Sequence, residues 1–500
     1  MPHITVSILF ASVAVGALTC MAESNWSYPA MHIGDSLANH QAVLNYFEKQ
    51  TDEVKQTDER VFNILAAKKS ASYADIAASP AIQKQCSDAG RLLFGGPMLG
   101  TLSPTSATVW VRTVKPAAVT VTAEINGKEV TYGPVNSTAA SDLVARIPVM
   151  QLPANSTIPY RVSVDGQPIP RYQATNCVIR TCSDDAAQTR IVFGSCFHSR
   201  IGTPTLMTSI LQRQPKACLF IGDIAADDKN NHFGLVRADD QLRDFHSAWR
   251  NLVAEIPVYT AWDDHDYYNN DASGIPQGAT KEDMQTLRNL YISSWNNPTA
   301  ACEDQQKGIF FHTRVGAFDV ILLDTRSLRG TKKGTPAAFL GAEQMAWLKK
   351  ELLSCKGSFI ILSSGTMWSD YITNGKDSWG VWDQQGREEI FSFIEANKIP
   401  GVLLISGDRH GARGFKIPRP SGYIFYELEA ASLGGWTGPG AGPGGDVQLY
   451  GILATMAFGE FTCDTTPRDP TVTFNLRDQH NKELYSLTLT RSQLTPKTKE

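Results

Sequence analysis

Six short apolar segments after residue 188 constrain the fold more than any other feature of the chain. They are rich in β-branched and large apolar residues and cover residues 191–194, 217–221, 257–262, 318–323, 359–364 and 402–406. Continuous apolar runs of this length are typical of strands that are buried on both faces in layered α/β proteins. Helical patterns at residues 341–353 and 385–396 separate some of them. We therefore expect an α/β domain over residues 186–500, with a β-hairpin near its C-terminal end at residues 471–489.

The preceding part of the chain divides into two further regions. Alternation of apolar with small or polar side chains marks three segments, residues 107–112, 119–125 and 160–164. Short strands at this spacing, with the turn signal Asn126-Gly127 between them, predict a small all-β sandwich of the fibronectin III type over residues 91–185. Residues 23–90 have a helical periodicity without catalytic spacing, so we expect a helical extension there.

The first 22 residues predict a signal peptide. Residues 4–19 are mostly apolar and small, and cleavage after Ala22 would leave a small residue before the cut. A secreted, periplasmic or cell-surface location is therefore expected. Cys20 leaves a lipoprotein anchor open, and a buried N-terminal helix is the structural alternative.

Export would also permit disulfides among the nine cysteines. Cys177 and Cys182 are close in sequence and lie between two predicted domains, so they are the favoured pair. Buried free thiols are the alternative.

Composition argues against some classes of partner. The 500 residues carry a formal net charge of −4, from 46 basic and 50 acidic side chains. Proteins that bind nucleic acid or a membrane surface usually show a basic excess, so we expect neither partner. After the first 22 residues no apolar segment approaches the roughly 20 residues that span a bilayer, so no transmembrane span is expected. The sequence does not indicate the oligomeric state.

Side chains that bind metals or transfer protons follow the predicted strands. Open α/β sheets place their sites at the carboxyl ends of strands, so we expect these side chains to converge. The set has five carboxylates, a thiol, two imidazoles and an amide: Cys196, Asp223, Asp263, Asp264, His265, Asp266, Asn270, Asp408 and His410. So many acids would repel one another without cations. Cys, His and Asp suit a transition metal, whereas additional carboxylates and an amide oxygen suit Ca²⁺ or Mg²⁺. The sequence predicts two or more metal ions.

The segment Trp262-Asp263-Asp264-His265-Asp266 is the most specific of these signals. A Gly-Asp pair after a strand is often a turn, a buried Cys is often a core residue, and residues 407–410 also fit a loop with a salt bridge. Three acids and a His directly after an apolar strand have little structural use, which favours a functional role for this segment.

The motifs together resemble the PhoD-like alkaline phosphatases and phosphodiesterases, within the calcineurin-like metallophosphoesterases. The matching pieces occur in the family's order and are Gly194-Ser195-Cys196, Gly222-Asp223, residues 262–266 with Asn269-Asn270, Leu323-Asp324-Thr325-Arg326, Asp377-Ser378-Trp379 and Gly407-Asp408-Arg409-His410. The resemblance covers residues 91 to about 440. It implies a four-layer sandwich of two mixed β-sheets flanked by helices, and hydrolysis of a small or polymeric phosphate mono- or diester by metal-activated water or hydroxide.

The resemblance also implies roles for individual residues. Cys196 would bind Fe³⁺ or another transition ion, Asp223 would bridge two metals, and Asn270 would supply an oxygen to a Ca²⁺ site. The implied metal ligands are Cys196, Asp223, Asp263, Asp264, Asn270, Asp408 and His410. Asp264 would also lie close to the substrate phosphate. His265 would act as general acid or phosphate contact, oriented by Asp266, and Arg326 would either support the structure or contact phosphate.

One position departs from the family pattern. Related enzymes have a Tyr ligand for Fe³⁺ three residues after the Asp of the Gly-Asp pair, and Ala226 stands there in this chain. Asp227, Asp228 and His232 are candidate replacements, and the iron assignment is the one that this change affects.

Two rival functions remain on sequence grounds. The first is a noncatalytic metal- or phosphate-binding protein with the same fold, for which the missing Tyr is the support. The second is a phosphodiesterase or phospholipase that acts on lipid or cell-wall phosphodiesters. The chain has no Gly-x-Ser-x-Gly motif and no Walker P-loop, which argues against serine hydrolases and NTPases.

Overall fold

A computed structural model describes most of the chain. The described residues are 37–38, 40–42, 51–170, 176–197, 204–224, 228–301, 308–330, 338–372, 378–434 and 438–497. The predicted signal peptide over residues 1–22 lies outside them, as do Ala226 and Asp227. Within these ranges no helix has the length and apolar character needed to cross a bilayer.

Helices cover the N-terminal extension and alternate with the strands of the α/β domain. Their bounds are α1 (Asp52–Ala66), α2 (Tyr73–Ala77), α3 (Pro80–Asp88), α4 (Pro204–Gln212), α5 (Phe233–Phe245), α6 (Ser247–Glu255), α7 (Asp264–Tyr267), α8 (Lys281–Ser294), α9 (Gly341–Ser354), α10 (Trp379–Trp382) and α11 (Gln384–Ala396). Capping residues set several of the starts. Thr280 accepts a hydrogen bond from the amide of Asp283 at the start of α8, and the Asp283 carboxylate accepts one from the Thr280 amide, both at 3.1 Å.

Eight strands form the predicted β-sandwich. They are β1 (Leu93–Ser103), β2 (Ser106–Thr113), β3 (Ala117–Ile125), β4 (Lys128–Ser137), β5 (Val144–Val149), β6 (Thr157–Val164), β7 (Gln167–Pro168) and β8 (Val178–Arg180). Strands β1, β2 and β5 form one sheet; β3, β4, β6 and β7 form the other, and β8 pairs with β6. Alternate residues of both sheets, such as Val109, Val111, Val119 and Val121, fill the core between them.

Thirteen further strands form two mixed sheets. They are β9 (Gln188–Gly194), β10 (Ala217–Ile221), β11 (Val258–Ala261), β12 (Phe311–Val315), β13 (Phe318–Leu322), β14 (Phe359–Ser363), β15 (Val402–Ser406), β16 (Ala412–Pro418), β17 (Ile424–Ala430), β18 (Gln448–Ile452), β19 (Ala457–Asp464), β20 (Thr471–Asp478) and β21 (Glu483–Thr490). The first sheet has the order β11-β10-β9-β19-β20-β21 and the second has the order β12-β13-β14-β15-β17-β16-β18. The antiparallel pair β20 and β21 confirms the predicted C-terminal hairpin.

The two sheets pack face to face between two layers of helices. Phe318, Val320 and Leu322 of β13 point into the core between the sheets, whereas Ile321 of the same strand packs against the outer helices. Helices α9 and α11 cover the second sheet, and α4, α5 and α6 cover the first. Because both faces of these strands are buried, their sequences are continuously apolar. The predicted four-layer α/β sandwich is thereby confirmed.

The favoured disulfide does not form. Cys177 and Cys182 are both free thiols. Strand β8 lies between them and extends the chain by about 3.3 Å per residue, which holds the two sulfur atoms at its opposite ends. Of the nine cysteines, Cys20 and Cys302 lie outside the described residues, and the others are free.

Buried charges join the N-terminal extension to the α/β domain. The imidazole of His40 is 4% exposed, with Nδ1 3.5 Å from the Asp58 carboxylate on α1 and Nε2 3.3 Å from Asp239 on α5. The Lys229 ammonium lies 3.3 Å from the same Asp239. Burial by itself lowers the pKa of His40, but the two carboxylates outweigh it and raise that pKa to about 9.

We expect this contact to make stability depend on pH. A histidine whose pKa rises from about 6.5 to about 9 on folding stabilises the native state fully below pH 6.5, and this contribution is lost as pH rises through 9. The shift corresponds to about 3 kcal/mol. The thermal midpoint of wild type should therefore exceed that of His40→Gln at pH 6, and the gap should narrow towards pH 9.5. The same substitution at the exposed His480 should leave no such gap, and a gap at His40 that is constant with pH would contradict the assignment.

Candidate active site

The site is built at the carboxyl ends of four strands from both sheets. Cys196, Asp223, Asp263 and Asp408 are each the second residue after their strand, which is β9, β10, β11 and β15 respectively. Strands β9, β10 and β11 are parallel neighbours in the first sheet, and β15 lies in the second. The facing sheets therefore bring these strand ends to one rim of the sandwich.

Several of these side chains stand on backbone that non-glycine residues rarely adopt. The φ angles are +62° at Cys196, +58° at Asp223, +74° at Asp408 and +48° at His410. Such conformations cost on the order of 1 kcal/mol or more each and persist where the surrounding structure enforces them, which is common at functional sites. The tight turns keep the four side chains at the ends of the strands.

Two groups of donor atoms result, and one carboxylate of the first lies close to the second. Ligand atoms of Cys196, Asp223 and His410 lie within 4.8 Å of one another, and those of Asp263, Asp264 and Asp408 do the same. Asp223 also lies within this distance of Asp264 and His265, so it stands between the two groups. The Cys196 sulfur is 3.6 Å from Asp223 Oδ2. The first group offers sulfur, nitrogen and oxygen, and the second offers oxygen alone.

Burial and mutual repulsion perturb the acids strongly. Burial raises the pKa of Asp223 well above its usual range, and Asp263 and Asp264 add to this. Burial also raises the pKa of Asp263 to about 8 although Arg326 opposes it. Burial would raise the pKa of Asp264 too, but Arg326 and His265 hold that pKa below its usual range. The pKa of the Cys196 thiol is raised by burial and then by Asp223. Without cations, therefore, several of these groups would bind protons instead.

Unsatisfied oxygen atoms show that the residues fit metal ions. Asp223 Oδ1, Asp263 Oδ2 and Asp264 Oδ1 are buried and accept no hydrogen bond from the residues that the structure describes. A buried acceptor without a partner costs about 1–3 kcal/mol, which a bound cation would remove. The donors at Cys196, Asp223 and His410 fit a transition ion, and the all-oxygen group of Asp263, Asp264 and Asp408 fits a harder ion.

Asp266 has a different place from the one predicted. Its carboxylate accepts hydrogen bonds from the amides of Asp223, Ile224 at 2.7 Å and Asp263 at 3.0 Å. It is the third residue of α7, so its contact with the amide of Asp263 is half of a capping box. Asp266 thus ties the β10 and β11 strand ends together. Burial raises the pKa of Asp266 to about 7, although the hydrogen bonds from these three amides lower it.

The partner of His265 is Asp228. Nδ1 of His265 lies 2.8 Å from Asp228 Oδ1, in the loop after β10, and the His265 side chain is 12% exposed. Asp228 was predicted only as a replacement metal ligand, and no sequence signal indicated this contact. His232, another candidate replacement, accepts a hydrogen bond from the Leu235 amide at 3.1 Å and caps α5.

Arg326 supports the carboxylates. It is fully buried, with Nε 2.6 Å from Asp263 Oδ1 and Nη2 3.6 Å from Asp264 Oδ1. Its amide donates to the Asp324 carboxylate at 3.0 Å, and the Trp262 indole donates to the same oxygen at 2.8 Å. Of its two predicted roles, this geometry favours structural support.

Asn270 differs from the other predicted metal ligands in being exposed. No hydrogen bond of the described structure joins its side chain to either donor group. The following residue turns back instead, and the amide of Asp271 donates to Asp264 Oδ2 at 2.6 Å. The loop therefore reaches the centre through its backbone.

A buried ion pair that was not predicted from the sequence holds the Asp408–His410 loop in place. Arg413 on β16 and Glu429 on β17 are direct cross-strand partners, fully buried, with Nη1 of Arg413 3.1 Å from Glu429 Oε2. Glu429 accepts from the Arg409 amide at 3.0 Å, and Arg413 donates to the Arg409 carbonyl at 2.7 Å. Opposite charges inside two neighbouring apolar strands are the sequence signal that could have identified this pair.

Removal of this pair should weaken metal binding. In Arg413→Met the strained loop with Asp408 and His410 loses its support, so metal affinity should fall about 10- to 100-fold, as for other residues that orient ligands. Arg213→Met, which breaks an ion pair with Glu460 on β19, is the control. Metal content after dialysis against graded chelator measures the effect. Equal retention of metal by both variants would refute the positioning role of Arg413.

Known proteins share this sequence pattern and fold. Residues 231–441 match the family of PhoD-like phosphatases, and residues 90–180 match a domain of unknown function (DUF7800). The chain is 26% identical to alkaline phosphatase D of Bacillus subtilis (strain 168) over 221 residues. That match covers 38% of this chain and 36% of the relative's length.

The solved structure of PhoD has a TM-score of 0.65 with this chain at 18% identity, covering 81% of this chain and 91% of the other. At that identity the likeness shows a common fold, which agrees with the family match in sequence. The resemblance drawn from the ordered motifs is thus confirmed: residues 231–441 match the PhoD-like phosphatases in sequence, and the chain shares the fold of PhoD.

Proposed function

We propose that this centre hydrolyses phosphate mono- or diesters. The observation that carries the proposal is the pair of neighbouring donor groups, linked by the approach of Asp223 to Asp264, with His265 within 4.8 Å of both carboxylates. A site of this form places an acid–base side chain next to two cation positions, an arrangement suited to phosphoester hydrolysis. The match of residues 231–441 to the PhoD-like phosphatases supports the same reaction class.

The residues divide into holders of cations and a proton carrier. Cys196, Asp223 and His410 would hold one ion, and Asp263, Asp264 and Asp408 the other, with Asp223 between them. When bound, such ions activate water and neutralise charge on the transferring phosphoryl group. The identity of each ion follows in this proposal from its donors, a transition metal such as Fe³⁺ at Cys196 and a hard ion such as Ca²⁺ at the carboxylates.

His265 would protonate the oxygen of the departing alcohol. Asp228 lies against Nδ1, which fixes the orientation of the ring and leaves Nε2 as the nitrogen that would carry the transferred proton. The ring is partly exposed beside buried carboxylates, where a substrate phosphate could approach from solvent. A noncatalytic binding protein would not need a histidine oriented in this way, so hydrolysis is the better account of the geometry.

Asp264→Ala tests the proposed function directly. It removes a donor from the oxygen-only group, so kcat/KM for an aryl phosphate ester should fall by on the order of 10³ or more. Asp271→Asn changes an exposed side chain and keeps the backbone amide that contacts Asp264, so it should keep wild-type activity. Circular dichroism should show both variants folded. Wild-type turnover by folded Asp264→Ala, with either a mono- or a diester, would rule the proposal out.

The role of His265 predicts a dependence on the leaving group. Nitrophenol departs readily without a proton, whereas an alkyl alcohol needs one. His265→Gln should therefore lower kcat for alkyl phosphate esters by about 10²- to 10⁴-fold and for nitrophenyl esters by much less. Asp228→Ala should show the same selectivity to a smaller extent. Equal losses for both kinds of ester would mean that His265 does not act as the general acid.

A further inference from the structure

A second cluster of metal-binding side chains lies at the opposite end of the second sheet. His312 is on β12, Asp319 is the second residue of β13, and Cys355 follows the last residue of α9. Their ligand atoms all lie within 4.8 Å of one another. Asp319 is level with Ile360 of β14 and Val402 of β15, and Asp408 lies six residues beyond Val402. Across two strand spacings and the length of β15, the two clusters are therefore separated by roughly 15 Å.

Hydrogen bonds hold the side chains of this cluster in positions from which they could bind an ion. His312 Nε2 is 2.9 Å from Asp319 Oδ1, and His312 Nδ1 is 2.7 Å from Glu351 Oε2. The other Asp319 oxygen, Oδ2, accepts hydrogen bonds from the amides of Lys356 at 2.8 Å and Gly357. These amides belong to the turn that carries Cys355, so one carboxylate both holds the turn and faces the imidazole.

We propose that His312, Asp319 and Cys355 bind a divalent transition ion, for which Zn²⁺ is the best match. One nitrogen, one oxygen and one sulfur are the donor types that Zn²⁺ takes in proteins. Tetrahedral bonds of about 2.0–2.1 Å would separate Nε2 and Oδ1 by about 3.3 Å, so the present 2.9 Å needs to widen by only a few tenths of an ångström. His312 and Glu351 are about one-fifth exposed, which leaves the fourth position to water.

Glu351 completes the arrangement from the other side of the ring. Metal-bound histidines usually donate their second N–H to a carboxylate. Glu351 is placed to accept this hydrogen bond from Nδ1 of His312. The charges also balance. With His312 protonated between two carboxylates the cluster carries −1, and exchange of one imidazole proton and the Cys355 thiol proton for one dication leaves it at −1. The site therefore needs no further countercharge when the dication is bound.

Residue-specific alkylation tests the site with Zn²⁺ alone as the probe. The full-length protein is stripped with chelator, dialysed, and treated with a thiol reagent with and without Zn²⁺, and the modified peptides are quantified by mass spectrometry. Zn²⁺ should slow alkylation of Cys355 about tenfold or more. Cys177 is half-buried like Cys355 but belongs to no donor cluster in the described structure, so its rate should not change.

His312→Gln separates binding at this cluster from effects of Zn²⁺ elsewhere. The substitution removes the nitrogen donor from a partly exposed position, and the thermal midpoint reports whether the variant is folded. Protection of Cys355 should disappear in the folded variant. An unchanged Cys355 rate in wild type, or protection that persists in His312→Gln, would overturn the proposal and leave the cluster as a salt-bridged imidazolium.

Discussion

Repulsion among buried carboxylates is the constraint on which the arrangement at the rim depends. Asp223, Asp263 and Asp264 are almost completely buried and close together, with Asp408 beside them. Arg326 neutralises part of this charge through Asp263 and Asp264, but it does not reach every oxygen, since three of them accept no hydrogen bond from described residues. The protein tolerates this only if protons or cations occupy the remaining positions, and the sulfur and imidazole donors beside them favour cations.

The scaffold keeps these acids in place by means that are independent of any ion. The parallel strands β9, β10 and β11 place Cys196, Asp223 and Asp263 two residues after their ends. Asp266 ties the loops after β10 and β11 together through three backbone amides. On the facing sheet the Arg413–Glu429 pair holds the third loop. A site so supported is organised before ions or substrate arrive, which reduces the reorganisation that catalysis would otherwise require.

Much of this could be predicted from the sequence because its signals are local. Strands buried on both faces have a distinctive composition, and Cys196, Asp223, Asp263 and Asp408 each follow such a strand directly. Contacts between distant segments left no comparable signal. Asp228 contacts His265 across 37 residues, and Asp266 accepts hydrogen bonds from backbone amides. Asn270 is exposed, while the amide of the next residue, Asp271, contacts Asp264. The His312 cluster draws on three separate elements, so its members are recognisable only once the second sheet is assembled.

Long-wavelength anomalous diffraction from crystals of the purified protein tests the central claim most directly, because it locates bound ions without any assumption about activity. The account predicts one anomalous peak among Cys196, Asp223 and His410 and another beside Asp263, Asp264 and Asp408, with the Asp223 carboxylate between them. Absence of a peak at both positions, with the carboxylates instead protonated and hydrogen-bonded to one another or to water, would contradict it.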